Sequence, residues 1–78
     1  MTTQDFIVKL KEALEFEKVN MTLDTNMKAI EGYDSMAIMG IIAFVDEHFS
    51  KKLTAQQLAS ISTVRSLKEL IGSDKFSD

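Results

Sequence analysis

The chain has 78 residues, 45% of them hydrophobic, with no cysteine, no proline, a single histidine and a formal net charge of -3. One small domain is implied, and its core must come from packed elements because no disulfide can staple it. The missing thiols also exclude thiolate catalysis and cysteine-based zinc sites, the lone His48 leaves no metal cluster, and an acidic chain without a basic stripe argues against nucleic acid as a partner.

From about Asp5 to Phe16, the residues Phe6, Leu10, Ala13 and Leu14 recur at helical spacing, while Lys9, Lys11, Glu12 and Glu15 fall largely on other faces. The spacing predicts a first helix. Between Glu17 and Asp34 the period dissolves into Asn20, Thr22, Asp24, Thr25 and Asn26, with Met21, Leu23, Met27 and Ile30 as apolar pegs. A connection of this length is uncommon in a compact domain and is often functional. Asp24 and Asn26 mimic the opening of a calcium-binding loop, but Ala29 stands where glycine is needed and Ser35 where a bidentate glutamate belongs. They read instead as loop and cap formers.

The polar stretch gives way at Gly32, Tyr33, Asp34, Ser35 and Met36 to an apolar run reaching Val45, too short to span a bilayer. No basic region followed by an apolar stretch opens the chain, so the expected compartment is the cytoplasm. A second helix is predicted from about Ser35 to Ser50. Ile38, Ile41, Ile42, Val45 and Phe49 make its core-facing stripe. Met36, Met39, Gly40 and Ala43 form another stripe, open to two readings. Either the helix is central and buried all round, or the stripe is a docking patch, for which flexible methionine suits adaptable contact.

An Asp-Ser pair at a helix mouth sets a serine hydroxyl where backbone N–H groups and the macrodipole favour an attached anion, which makes Ser35 a candidate attachment point for a phosphate-linked group. With Asp34 as N-cap, Ser35 is left free at the first helical position. Taken alone, such a pair is usually just a cap. A Ser35–His48 catalytic pair is excluded, since thirteen residues of helical rise separate the two by about 20 Å. Lys51 and Lys52 read as solvated charges at the helix end. Thr54 to Gln57 has the form of a capping box opening a short third helix anchored by Leu53, Leu58 and Ile61. Thr63 then caps a fourth helix carrying Val64, Leu67, Leu70 and Ile71, with Gly72 as its stop and a disordered tail from Ser73 to Asp78. The expected fold is all-α: a four-helix bundle over residues 1–72 with a long first connection and a short third helix.

GYDSM at 32–36, the helix running on to Phe49, and LTAQQLASISTVRSLKELIG at 53–72 together resemble the acyl carrier protein family over nearly the whole chain. The resemblance implies a non-catalytic carrier in which Ser35 bears a 4′-phosphopantetheine arm, transferred from coenzyme A by a phosphopantetheinyl transferase. The thiol of the arm would hold acyl or aminoacyl groups as thioesters for loading and transferring enzymes. A monomer without a membrane span is expected. Where carriers of fatty-acid synthesis usually have leucine after Asp-Ser, Met36 stands here, and Glu31 replaces the leucine common before the glycine. Ala37 and Gly40 fill positions that are often acidic, leaving only Asp46 and Glu47 near the helix end. The reading is therefore a carrier of a specialised pathway whose partners contact Met36, Met39, Gly40, Ala43, Asp46 and Glu47, with an ordinary fatty-acid carrier or an unmodified helical interaction module as alternatives.

Overall fold

The computed structural model describes residues 1–78, which form α1 (Thr3–Leu14), a 3₁₀ turn (Met27–Ala29), α2 (Ser35–Phe49), α3 (Ala55–Ala59), α4 (Val64–Ile71) and a final 3₁₀ turn (Ser73–Lys75). This is the expected all-α bundle with its long first connection and short third helix. No helix is long and apolar enough to cross a membrane.

Local chemistry accounts for each boundary. The Thr2 hydroxyl accepts from Asp5 N–H at 3.1 Å, which starts α1 two residues before the expected Asp5. Its C-terminal end also falls early, at Leu14 rather than Phe16. There Glu15 turns left-handed (φ 59°), and the N–H groups of Phe16 and Glu15 reach back to the carbonyls of Lys11 and Glu12 at 2.8 and 3.2 Å. That pair of bonds is the Schellman closure, which satisfies carbonyls the helix would leave open. α3 opens on the expected capping box, with Gln57 N–H donating to the Thr54 hydroxyl at 3.1 Å and the Thr54 N–H to Gln57 Oε1 at 2.9 Å. Thr63 and Ser66 repeat it at the start of α4. Lys51 is not a free surface charge. Its Nζ donates to the Leu70 and Ile71 carbonyls at 2.9 and 3.2 Å, placing a cation on the negative end of α4.

The twenty-residue connection between α1 and α2 is tied down by backbone. Val64 N–H and Arg65 N–H, two of the four donors that α4 cannot satisfy itself, bond to the Thr25 and Leu23 carbonyls at 3.1 and 2.8 Å. Met27 N–H returns a bond to the Ser62 carbonyl at 2.8 Å. Asp24 forms an ion pair with Arg65 at 2.9 Å, and Asn26 Oδ1 caps the 3₁₀ turn at Lys28 N–H. Both residues are thus loop formers. Met21 and Met27 are buried in the core as the apolar pegs of the segment.

α2 presents its core face through Ala37, Ile41, Phe44, Val45 and Phe49. That is a correction to the expected stripe, since Ile38 and Ile42 are only half-buried while Ala37 and Phe44 are inside. The buried arc is rotated toward α1 because Phe6 draws Phe44 and Phe49 inward, with ring centroids 5.9 and 6.0 Å away. The helix is not buried all round: Met36 and Met39 are 78% and 68% exposed, and Ala43 is exposed as well.

The tail is ordered, against expectation. Gly72 ends α4 at φ 115°, the chain makes one 3₁₀ turn, and Phe76 packs against both Phe6 and Phe49 with each ring centroid at 5.2 Å. Lys68 Nζ lies 5.0 Å over the Phe76 ring. Asp78 Oδ1 then accepts from the hydroxyl and the N–H of Thr3 at 2.9 and 3.0 Å, where the first turn of α1 has unpaired donors. The Thr3 hydroxyl, then its N–H, hold the Asp78 carboxyl below the usual range against the opposing effect of desolvation, with the Lys68 charge adding less than either bond. A lone phenylalanine in a polar hexapeptide has no periodicity to announce its burial.

Ile41→Ala and Phe76→Ala should each destabilise the fold by about 2–4 kcal/mol in chemical denaturation, because each leaves a void in a small core. Met39→Ala should stay within about 0.5 kcal/mol. Equal losses at Met39 and Ile41 would contradict the two-faced α2, and a silent Phe76→Ala would contradict the docked tail.

Candidate functional site

Ser35 is the first residue of α2 and is exposed to solvent. The residue before it does the capping. Asp34 is extended (φ -134°, ψ -168°), its Oδ1 accepts from Ala37 N–H at 3.1 Å, and its carbonyl accepts the first helical bond from Ile38 N–H at 3.1 Å. The Ser35 hydroxyl is therefore spared that duty, as Asp34 at the N-cap position predicted. The N–H groups of Ser35 and Met36 donate to no acceptor in the protein. A phosphodiester on Ser35 Oγ would stand beside these two donors at the positive end of a fifteen-residue helix, so the local chemistry fits such a group.

The approach to Ser35 is shaped by Gly32 and Tyr33. Gly32 adopts φ +90°, a conformation strained for any side chain, and the Phe16 ring lies 3.7 Å from where its Cβ would be. Tyr33 N–H closes the turn onto the Ile30 carbonyl at 3.1 Å, and its ring is half-buried against the core. Burial pushes its phenol pKa up, so the hydroxyl stays protonated and neutral near pH 7.

Of the other residues singled out from sequence, Met36, Met39 and Ala43 share the exposed side of α2. Gly40 does not belong with them. It is half-buried at the crossing with α1, where an added Cβ would meet Leu14 Cδ2 at 3.0 Å, so its role is to let the two helices approach. Asp46 and Glu47 are exposed near the far end of α2. His48 is exposed there too, its ring against Phe44 at 4.4 Å between centroids, and it stands thirteen residues from Ser35 on the same helix. The geometry supplies no base to the serine from that direction. What the sequence left out is the turn that closes α1: Leu14 lies against Gly40 and Phe16 against Gly32, and Glu15 and Glu17 line one open groove with Glu31.

The model of the phosphopantetheine attachment site family matches residues 4–71. The chain belongs to this family. No significant match was found among curated proteins or among solved structures. Members are non-catalytic carriers bearing covalently attached 4′-phosphopantetheine, and the matched span takes in α2, α3, α4 and all but the first residue of α1. The partners of such a carrier are a phosphopantetheinyl transferase and the enzymes that handle its acyl groups.

If Asp34 is the cap and Ser35 is not, Asp34→Ala should cost about 1 kcal/mol of stability. Ser35→Ala should stay within about 0.5 kcal/mol. Thermal melts of the two variants check this, and the opposite ranking would make Ser35 the structural residue.

Proposed function

We propose that Ser35 Oγ carries the arm and that the chain presents acyl or aminoacyl thioesters to the enzymes of a specialised biosynthetic pathway. The observation that carries the site assignment is the division of labour at the mouth of α2. Asp34 satisfies Ala37 N–H, while Ser35 is exposed with free N–H donors around it. In the loading step the Ser35 oxygen bonds to the phosphorus of the pantetheine-bearing phosphate of coenzyme A. The P–O bond to the adenosine nucleotide breaks, that nucleotide leaves with the bridging oxygen, and the serine proton passes to a base of the transferase. The carrier contributes position and field. Its chain has no cysteine, so the thiol that forms the thioester is the arm's own.

Support for a specialised pathway lies in the surface beyond the serine. The first three turns of α2, from Ser35 to Val45, carry no charged side chain, and two exposed methionines stand there instead. Partners would gain more from apolar contact at Met36, Met39 and Ala43 than a partner that reads an acidic helix. Tailoring of a surface polysaccharide, a lipid or a secondary metabolite fits this surface better than fatty-acid elongation.

Incubation of the apo-protein with coenzyme A and a broad-specificity phosphopantetheinyl transferase should add one phosphopantetheinyl group by intact mass, and Ser35→Ala should add none while remaining folded. Loading of the alanine variant would move the site elsewhere. No loading of the native chain by several such enzymes would favour the unmodified interaction module. For the pathway, the loaded protein should support elongation poorly in a reconstituted fatty-acid synthase, and efficient elongation would return it to the ordinary carriers.

A further inference from the structure

The sulfur of this chain is all thioether, and burial divides it sharply. With no cysteine present, the five methionines carry every sulfur atom. Met21 and Met27 are sealed in the core at 6% and 1% exposure, and Met1 is half-buried. Met36 and Met39 stand in solvent at 78% and 68%. Three residues apart on α2, these two are neighbours on the helix surface, with Cβ atoms about 5–6 Å from each other. Met36 directly follows Ser35, so the two most open thioethers of the chain begin at the residue next to the proposed attachment point.

A thioether in solvent is open to a two-electron oxidant such as hydrogen peroxide. The sulfur lone pair attacks one peroxide oxygen, an S–O bond forms and the O–O bond breaks. The departing oxygen takes the proton of the transferred hydroxyl and leaves as water, so sulfur is oxidised to the sulfoxide and peroxide is reduced. The product replaces a flexible apolar side chain by a polar, chiral one. Neither Met36 nor Met39 belongs to the core, which α2 meets through Ala37, Ile41, Phe44, Val45 and Phe49, so the change falls on the surface and leaves the packing untouched. No charged side chain stands on α2 between Ser35 and Val45, and the two thioethers therefore set the polarity of this face.

We propose that Met36 and Met39 form a reversible peroxide-modification site that switches the exposed face of α2 from apolar to polar and so impairs docking of the carrier's partners. The inference rests on the reading of these residues as partner contacts and adds regulation of that surface. Restoration falls to methionine sulfoxide reductases, one for each sulfoxide epimer. A thiol reductant supplies the two electrons and two protons, the sulfoxide oxygen leaves as water, and the reductant ends as a disulfide. Met21 and Met27 are spared by the core that encloses them.

The test treats the full-length apo-protein with dilute hydrogen peroxide, removes the excess with catalase, and maps the added oxygen by intact mass and peptide mass spectrometry. Met36 and Met39 should oxidise at least about tenfold faster than Met21 and Met27, and the melting temperature should stay that of the untreated protein. Loading from coenzyme A by a phosphopantetheinyl transferase should then fall about five- to tenfold in kcat/KM, because a sulfoxide oxygen buried without a hydrogen-bond partner opposes binding. Treatment with both reductases and dithiothreitol should restore the rate. The variant M36L/M39L, compared with itself before and after peroxide, should change by less than about twofold. Oxidation of Met21 or Met27 first, a fall in melting temperature with the first oxygens, an unchanged loading rate, or an equal loss in M36L/M39L each overturns the inference and leaves Ser35 as the loaded residue. Failure of the untreated chain to load at all removes the Ser35 assignment and this inference together.

Discussion

The long connection between α1 and α2 is held by the unsatisfied end of another helix. α4 begins with N–H groups that have no partner within the helix, and the Leu23 and Thr25 carbonyls take two of them. Because Met27 N–H returns a bond to Ser62, the middle of the connection lies on the α4 entry as a short antiparallel bridge at Asn26 and Thr63. With Met21 and Met27 buried as anchors, the remaining residues have one course to follow into Gly32 and Asp34. The placement of Ser35 therefore depends on backbone chemistry at the opposite end of the sequence. Exposed loop backbone that loses no hydrogen bonds is the condition that lets a segment of this length be ordered at all.

The core and the site divide α2 between them. Phe6, Phe44, Phe49 and Phe76 form a cluster of tilted and edge-on rings, and this aromatic mass sets the rotation of α2 about its own axis. Turning the helix so that Phe44 is inside leaves Met36, Met39 and Ala43 outside, beside the serine. Gly40 sits at the boundary and admits Leu14. One packing choice thus supplies both stability at Ile41 and Val45 and an open surface around the attachment point.

Charge follows a different logic from the one suggested by α2 alone. With neutral side chains over the first turns of α2, exposed carboxylates gather instead in the connection that precedes it, where Glu15, Glu17 and Glu31 line one open groove. Exposed carboxylates cost little stability and act over distance in solvent, so their worth lies in encounter with partners. A helix face of methionine and alanine beside them supplies contact of short range.

Much was legible in the residues themselves. The Thr54 capping box, Thr63 as the cap of α4 and Asp34 before Ser35 are local signals whose physics operates within four residues, and the structure contains each of them where the residues put it. The family, too, could be recognised from GYDSM and the helices that follow. Other features were decided only by contacts between distant segments. The early end of α1 depends on a left-handed Glu15, which has no glycine to signal it. Phe44 in place of Ile38 on the buried arc of α2 depends on Phe6, and Lys51 on α4 depends on where the carbonyls of Leu70 and Ile71 end. The packed tail depends on the paired rings of Phe6 and Phe49, against which Phe76 packs, and on donors of α1 that Asp78 accepts from. Local hydrogen bonding and periodicity are encoded within a turn or two of chain, whereas rotation of a helix, capture of a tail and the meeting of Glu15 with Glu31 are settled by which surfaces can be buried together.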